Sequence, residues 1–126
     1  MANKEQIPHC PVKYLISVFG GKWKLPIMCI LACGKPVRYS QIKRALGPIT
    51  AMMLSKTLKE LEQAGVINRK QYNQVPPYVE YTLSDEGKTI VPVLTEMGNW
   101  ATKQMRKKHM TPSCDTCPSN FQAHGK

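Results

Sequence analysis

RYSQIKRAL (residues 38–46), GPI (47–49), TAMMLSKTLKELEQAG (50–65), VINRKQY (66–72), NQVPP (73–77) and YVEYTL (78–83) follow one another without a break. The first reads as a short amphipathic helix from about Ser40 to Leu46, and Gly47-Pro48 makes a sharp connection to the next. Thr50 is a natural N-cap for a longer helix with Leu54, Leu58 and Leu61 as its buried stripe, and Gly65 stops it. Two strands follow, at 66–72 and 78–83, with Val79, Tyr81 and Leu83 alternating inward and Pro76-Pro77 breaking the ladder between them. Two helices across a tight turn followed by a hairpin form the winged helix-turn-helix arrangement. The fold expected is therefore mainly α with a small β hairpin, an α+β winged helix.

Working outward, Pro11 opens a helix with apolar residues Val12, Leu15, Ile16 and Phe19 at helical spacing, and Gly20-Gly21 ends it. A second helix spans about Lys22 to Ala32, with Trp23, Ile27, Ile30 and Leu31 as core candidates and Pro26 in its first turn. Gly34 to Val37 reads as a turn. Ser84 caps a long last helix to about Lys108, which Pro92 should kink because the Lys88 carbonyl loses its N–H partner. Ile90, Val91, Leu94, Met97, Trp100, Ala101 and Met105 make that helix apolar over more of its surface than one shallow contact needs. The division expected is a flexible N-terminus (1–9), one winged-helix and dimerisation domain (10–108), and a flexible cysteine-containing tail (109–126).

The 126 residues suit one domain, and the 42% apolar and 21% charged content suits a globular chain. The longest apolar run, Leu25 to Cys33, is about half a membrane span, and the start MANKEQIPHC is no secretory signal, so no membrane partner and a cytoplasmic location are expected. Lys and Arg number 18 against 8 Asp and Glu, a formal net charge of +10. Such an excess favours a polyanionic partner, since each phosphate neutralised releases condensed counterions. Its placement is pointed: residues 35–74 carry eight basic side chains and only two acidic ones, Glu60 and Glu62.

A helix that reads the major groove needs small or hydrogen-bonding residues near its start and cations for phosphates. Thr50, Ser55, Lys56 and Lys59 meet that need, while Ala51 and Met52 offer apolar contact to thymine methyls. Arg38, Ser40 and Lys43 flank them on the preceding helix. Arg69, Lys70 and Gln74 belong to the hairpin, where they would meet phosphates or the minor groove. The partner expected is double-stranded DNA. Phosphate-binding glycine motifs and nucleophile–base sets are absent from the sequence, so neither an enzyme nor a cofactor is assigned.

The segments CPVKYLISVFGGKWKLPIMCIL, RYSQIKRAL, LSKTLKELEQAGVINR and PPYVEYTLSDEG, with Trp100, resemble the HxlR family of winged-helix regulators, relatives of the MarR group, over about residues 9–102. The resemblance implies a homodimer built from the first and last helices, a recognition helix near 50–63, and bacterial transcription control, for which repression is the expected sign. It also implies that Cys10, where many members carry a cysteine, senses oxidants or electrophiles. Ala51-Met52 departs from the polar or basic pair common there, so the operator does not transfer; Pro26 departs from the usual aliphatic residue.

Five cysteines without an export signal argue against a structural disulfide framework. Cys10 precedes a helix whose unpaired N–H groups favour negative charge, with His9 and Lys13 nearby, so it reads as a sensor thiol or as an inert half-buried cysteine. Cys29 and Cys33 share a helical face and read as buried small hydrophobes. Cys114 and Cys117 form a CxxC that reads as a redox or resolving pair, or with His109 and His124 as a tetrahedral metal set, or as plain tail. No metal is assigned. Two rival readings remain: a small metal-binding or thiol-exchange protein working through Cys114 and Cys117, and a sequence-blind architectural DNA binder.

Overall fold

The computed structural model describes residues 9–112. Its elements are α1 (Pro11–Phe19), α2 (Lys24–Leu31), β1 (Val37–Arg38), α3 (Tyr39–Leu46), α4 (Ala51–Gln63), β2 (Ile67–Tyr72), β3 (Tyr78–Leu83), α5 (Asp85–Lys88) and α6 (Val91–Lys107). α3 and α4 form the helix-turn-helix and β2–β3 the wing. The core is one cluster in which Ile27, Met28, Ile30 and Leu31 of α2 meet Ile42 and Leu46 of α3, Leu54, Leu58 and Leu61 of α4, and Ile67, Tyr81 and Leu83 of the sheet. That cluster holds α4 by one stripe, leaving its opposite side to solvent.

The ends of α4 are fixed by its own sequence. Thr50 Oγ1 accepts from the Met53 amide at 3.1 Å, satisfying one orphan donor of the first turn. At the other end Gly65 takes φ 81°. Its N–H reaches the Glu62 carbonyl at 3.0 Å and the Val66 N–H reaches Leu61 at 3.2 Å, a paired C-terminal closure that turns the chain straight into the wing. Gly47, at φ 75°, makes the turn between α3 and α4 in a region that disfavours side chains.

Two expectations are corrected. The segment expected as a turn contributes β1: Val37 pairs with Tyr81 and Arg38 with Glu80, giving a three-stranded antiparallel sheet of order β1-β3-β2 rather than a bare hairpin. Two residues are too few for a periodic signal, and the strand exists through its pairing with β3. The long last helix is not continuous either. α5 ends at Lys88, Thr89 and Ile90 intervene, and Pro92 lies in the first turn of α6, where its missing N–H is not needed. Pro92 starts a helix instead of kinking one. Gly87 sits against the Val66 backbone, so closely that a Cβ there would collide with the Val66 carbonyl, and this packs α5 onto the base of the wing.

Pro26 occupies the first turn of α2, as expected. Cys29 and Cys33 are half-buried and pack against the core rather than lying inside it. α1 and α6 bury little: Phe19 is the buried residue of α1 and Leu94 that of α6. Val12 (62% exposed), Ile16 (59%) and Trp100 (67%) stand in solvent. Among the described residues no single helix is long and apolar enough to cross a membrane.

Candidate nucleic-acid interface

Helical geometry divides α4 into two faces. Leu54, Leu58 and Leu61 point into the core, with Thr57 among them, its hydroxyl donating to the Met53 carbonyl at 2.7 Å. Opposite them Ala51, Met52, Ser55, Lys56, Lys59 and Gln63 are exposed, together with the N-cap Thr50. Met52 is 84% exposed at the leading end of this face. Two hydroxyls, two ammonium groups and one amide thus share a ridge with a thioether at its leading end. Those groups hydrogen-bond base edges, attract phosphates and contact thymine methyls.

α3 supplies the next group. Arg38 is its N-cap residue, its amide donating to Gln41 Oε1 at 2.8 Å, and Ser40 is exposed in the first turn. Lys43 is half-buried in the last turn, beside exposed Arg44. One contact ties the two helices together at the surface. The Tyr39 hydroxyl lies 3.2 Å from the Ala51 carbonyl and 3.3 Å from Ser55 Oγ, so it fixes both the start of α4 and the Ser55 hydroxyl. Tyr39 escaped the sequence reading because its partners are 12 and 16 residues away.

Arg69 and Lys70, expected in the hairpin, both lie on β2. Adjacent residues of a strand point to opposite faces. Arg69 is opposite Tyr81 and lines an open cleft of about 430 Å³ between wing and α4, with Tyr39, Ser55, Lys59, Glu62 and Val79. Lys70 is opposite Glu80 on the outer face, its ammonium 5.0 Å from the Tyr72 ring centre. Gln74 is exposed in the connection beyond them. Burial pushes the Tyr81 hydroxyl above its ordinary pKa of 10.0, an effect that neighbouring Arg69 partly offsets by favouring the phenolate. At neutral pH Tyr81 is therefore a neutral phenol against a fixed cation.

Charge on this side is little neutralised. Among the described residues the ion pair present is Lys24 Nζ to Glu60 Oε1 at 3.3 Å, joining α2 to α4 away from the ridge. Arg38, Lys56, Lys59, Arg69 and Lys70 keep their charge for another partner. Glu62 is the acidic residue lining the cleft.

Cys10 is exposed at the N-cap of α1, its side chain making no capping hydrogen bond. Cys114, Cys117 and His124 lie outside the described residues; His109 is exposed just past α6. Among the described residues no cluster of His, Cys, Asp and Glu is arranged to hold a metal ion.

Comparison with known proteins adds four findings. The sequence model described as HxlR-like helix-turn-helix matches residues 18–109. The HTH-type transcriptional regulator BH0655 of Halalkalibacterium halodurans is 46% identical over 99 residues, covering 79% of this chain and 88% of its own. Among solved structures, the HTH-type transcriptional regulator YtcD superposes with a TM-score of 0.72 at 43% identity, covering 76% of this chain and 97% of that one. The redox regulator HypR in its oxidised form superposes with a TM-score of 0.67 at 38% identity, covering 75% and 96%.

Proposed function

This chain belongs to the HxlR-like helix-turn-helix family and is a transcriptional regulator with a helix-turn-helix domain, and we propose that it is a cytoplasmic, homodimeric repressor that reads a palindromic operator. The observation that carries this is the exposed ridge of α4, hydrogen-bonding and cationic along its length, held rigid by the buried Leu54–Leu58–Leu61 stripe. In the proposal Thr50, Ala51, Met52 and Ser55 meet base edges. Arg38, Ser40, Lys43, Lys56, Lys59, Arg69, Lys70 and Gln74 meet the phosphate backbone or the minor groove.

The dimer is proposed to form through α1 and α6, whose apolar side chains are left in solvent by the single chain. A two-fold dimer presents two copies of α4, and half-sites one turn apart, about 34 Å, require an inverted repeat. Occupying DNA that a polymerase needs is the simplest consequence of such binding, hence the assignment as a repressor. Selecting duplexes from a random pool with the purified protein tests this: enriched sequences should share an inverted repeat. A pool that stays random after repeated rounds would remove the proposal.

Regulation is proposed to act through Cys10. The likeness to HypR supports it, as does the exposed position of Cys10 at the head of α1, one of the proposed dimer helices. A peroxide would convert the thiol to a sulfenic acid and release water; a second thiol would then form the disulfide with loss of another water. A bond made there shifts α1, and with it the spacing of the two copies of α4. A coupling of about 1–3 kcal/mol changes operator affinity roughly 5- to 150-fold. Cys10→Ser should hold DNA through peroxide treatment; release as complete as in the parent protein would rule Cys10 out.

A further inference from the structure

We propose that Tyr78, backed by Tyr72, is a positioning residue that holds the Arg38 guanidinium ready for a DNA phosphate, an inference that rests on the DNA-binding reading above. The outer face of the sheet carries a row set by strand register: Arg38 of β1 and Lys70 of β2 both lie opposite Glu80 of β3. A carboxylate between two cations invites ion pairing. Among the described residues neither cation makes one. Arg38 Cζ lies instead 3.9 Å from the centre of the Tyr78 ring. Tyr78 stacks on Tyr72 with centroids 4.7 Å apart and 15° between planes. Lys70 Nζ closes the series over Tyr72 at 5.0 Å. The result is a cation–ring–ring–cation ladder across the wing.

The difference between stacking and ion pairing decides what Arg38 can do. A carboxylate would occupy the in-plane N–H donors of the guanidinium and cancel its charge. A ring beneath the guanidinium uses only its flat face, leaving those donors and the full charge for a phosphate. The backbone of Arg38 is fixed as well, by β1 pairing and by Gln41. The platform is stiff because Tyr72 and Tyr78 are register partners at the end of the hairpin. Beside it lies an open cleft of about 430 Å³, lined also by Ser40, Pro76 and Pro77. A phosphate there would be held between the first turn of α3 and the wing.

The test uses the full-length protein and a duplex enriched by it, with affinity measured between about 50 and 200 mM salt. Arg38→Gln should weaken binding several-fold and lower the slope of log affinity against log salt by about 0.9, one phosphate. Tyr78→Leu should reproduce Arg38→Gln, the double variant should bind no worse than Arg38→Gln alone, and Tyr78→Phe should bind as the parent. Thermal unfolding of each variant reports folding, and Tyr78→Met, ringless but similar in bulk, replaces Tyr78→Leu should the latter not fold. Parent-like affinity and slope for the ringless variant, alongside a loss in Arg38→Gln, would overturn the positioning role. A defect in Tyr78→Phe equal to that of the ringless variant would overturn it too, by moving the cause to the hydroxyl. Parent-like binding by Arg38→Gln would overturn the inference while leaving the DNA-binding reading standing. Failure of the parent to enrich any duplex would overturn both.

Discussion

Replacing Trp100 by alanine should weaken the proposed dimer while leaving the protomer folded. Trp100 is 67% exposed in the single chain. An aromatic side chain of this size buries about 150–250 Å², so about 100–170 Å² of Trp100 remains in water, equivalent to about 2.5–4 kcal/mol if wholly covered. Half coverage is a sober assumption, since association does not convert area to affinity at full value. That leaves about 1–2 kcal/mol per subunit, and a two-fold interface uses the residue twice, for about 2–4 kcal/mol in all. The dimer dissociation constant should therefore rise about 30- to 700-fold. Sedimentation equilibrium reads it directly, with circular dichroism confirming that helix content is kept. Met52→Ala is the matched control: Met52 is 84% exposed, but on the α4 ridge proposed to read DNA. It should leave the dimer constant unchanged. A Trp100→Ala constant within threefold of the parent, or an equal loss in Met52→Ala, would refute the reasoning.

Three further outcomes are expected. Lys56→Gln with Lys59→Gln should lower the salt slope of operator binding by about 1.8, and stability should change by less than about 0.5 kcal/mol per site, checked by urea unfolding of the same sample. Thr50→Ala removes the acceptor for the Met53 amide and should cost about 1 kcal/mol, read as a fall of about 4–8 °C in Tm. The raised pKa of Tyr81 makes the folded state prefer the protonated phenol, so its contribution is complete below pH 10.0 and is lost as pH climbs past that value. Stability of the parent should fall more steeply above pH 10.0 than that of Tyr81→Phe; identical profiles would contradict the assignment.

Much of this was legible in the chain because the relevant signals are local. Leu54, Leu58 and Leu61 recur at helical spacing, Thr50 and Gly65 bracket them, and the structure places α4 between those two residues. Pro76-Pro77 marked the wing connection for the same reason. What was missed depends on distant partners. β1 is two residues long and needs β3, more than 40 positions away, to exist at all. Tyr39 reaches Ser55 across the helix-turn-helix connection, and Arg38 finds Tyr78 across the sheet. Pro92 illustrates a different gap: proline disrupts a helix interior and suits a helix start equally well, and local pattern does not say which turn it occupies. The placement of Arg69 and Lys70 on opposite faces of β2 follows from strand alternation alone. The exposed apolar residues of α6 follow from the surplus read in the last helix, whereas Val12 and Ile16 of α1 share one apolar stripe with Phe19 and local pattern does not say what that stripe faces.

The most direct test of the central claim is a specificity ratio at about 0.15 M salt: affinity for a duplex enriched by the protein, against a scrambled duplex of equal length and composition. A regulator reading bases through α4 should prefer the enriched duplex by about 10³-fold or more. Equal affinity for the two, falling steeply and in parallel with salt, would contradict the account and leave charge alone as the basis of binding.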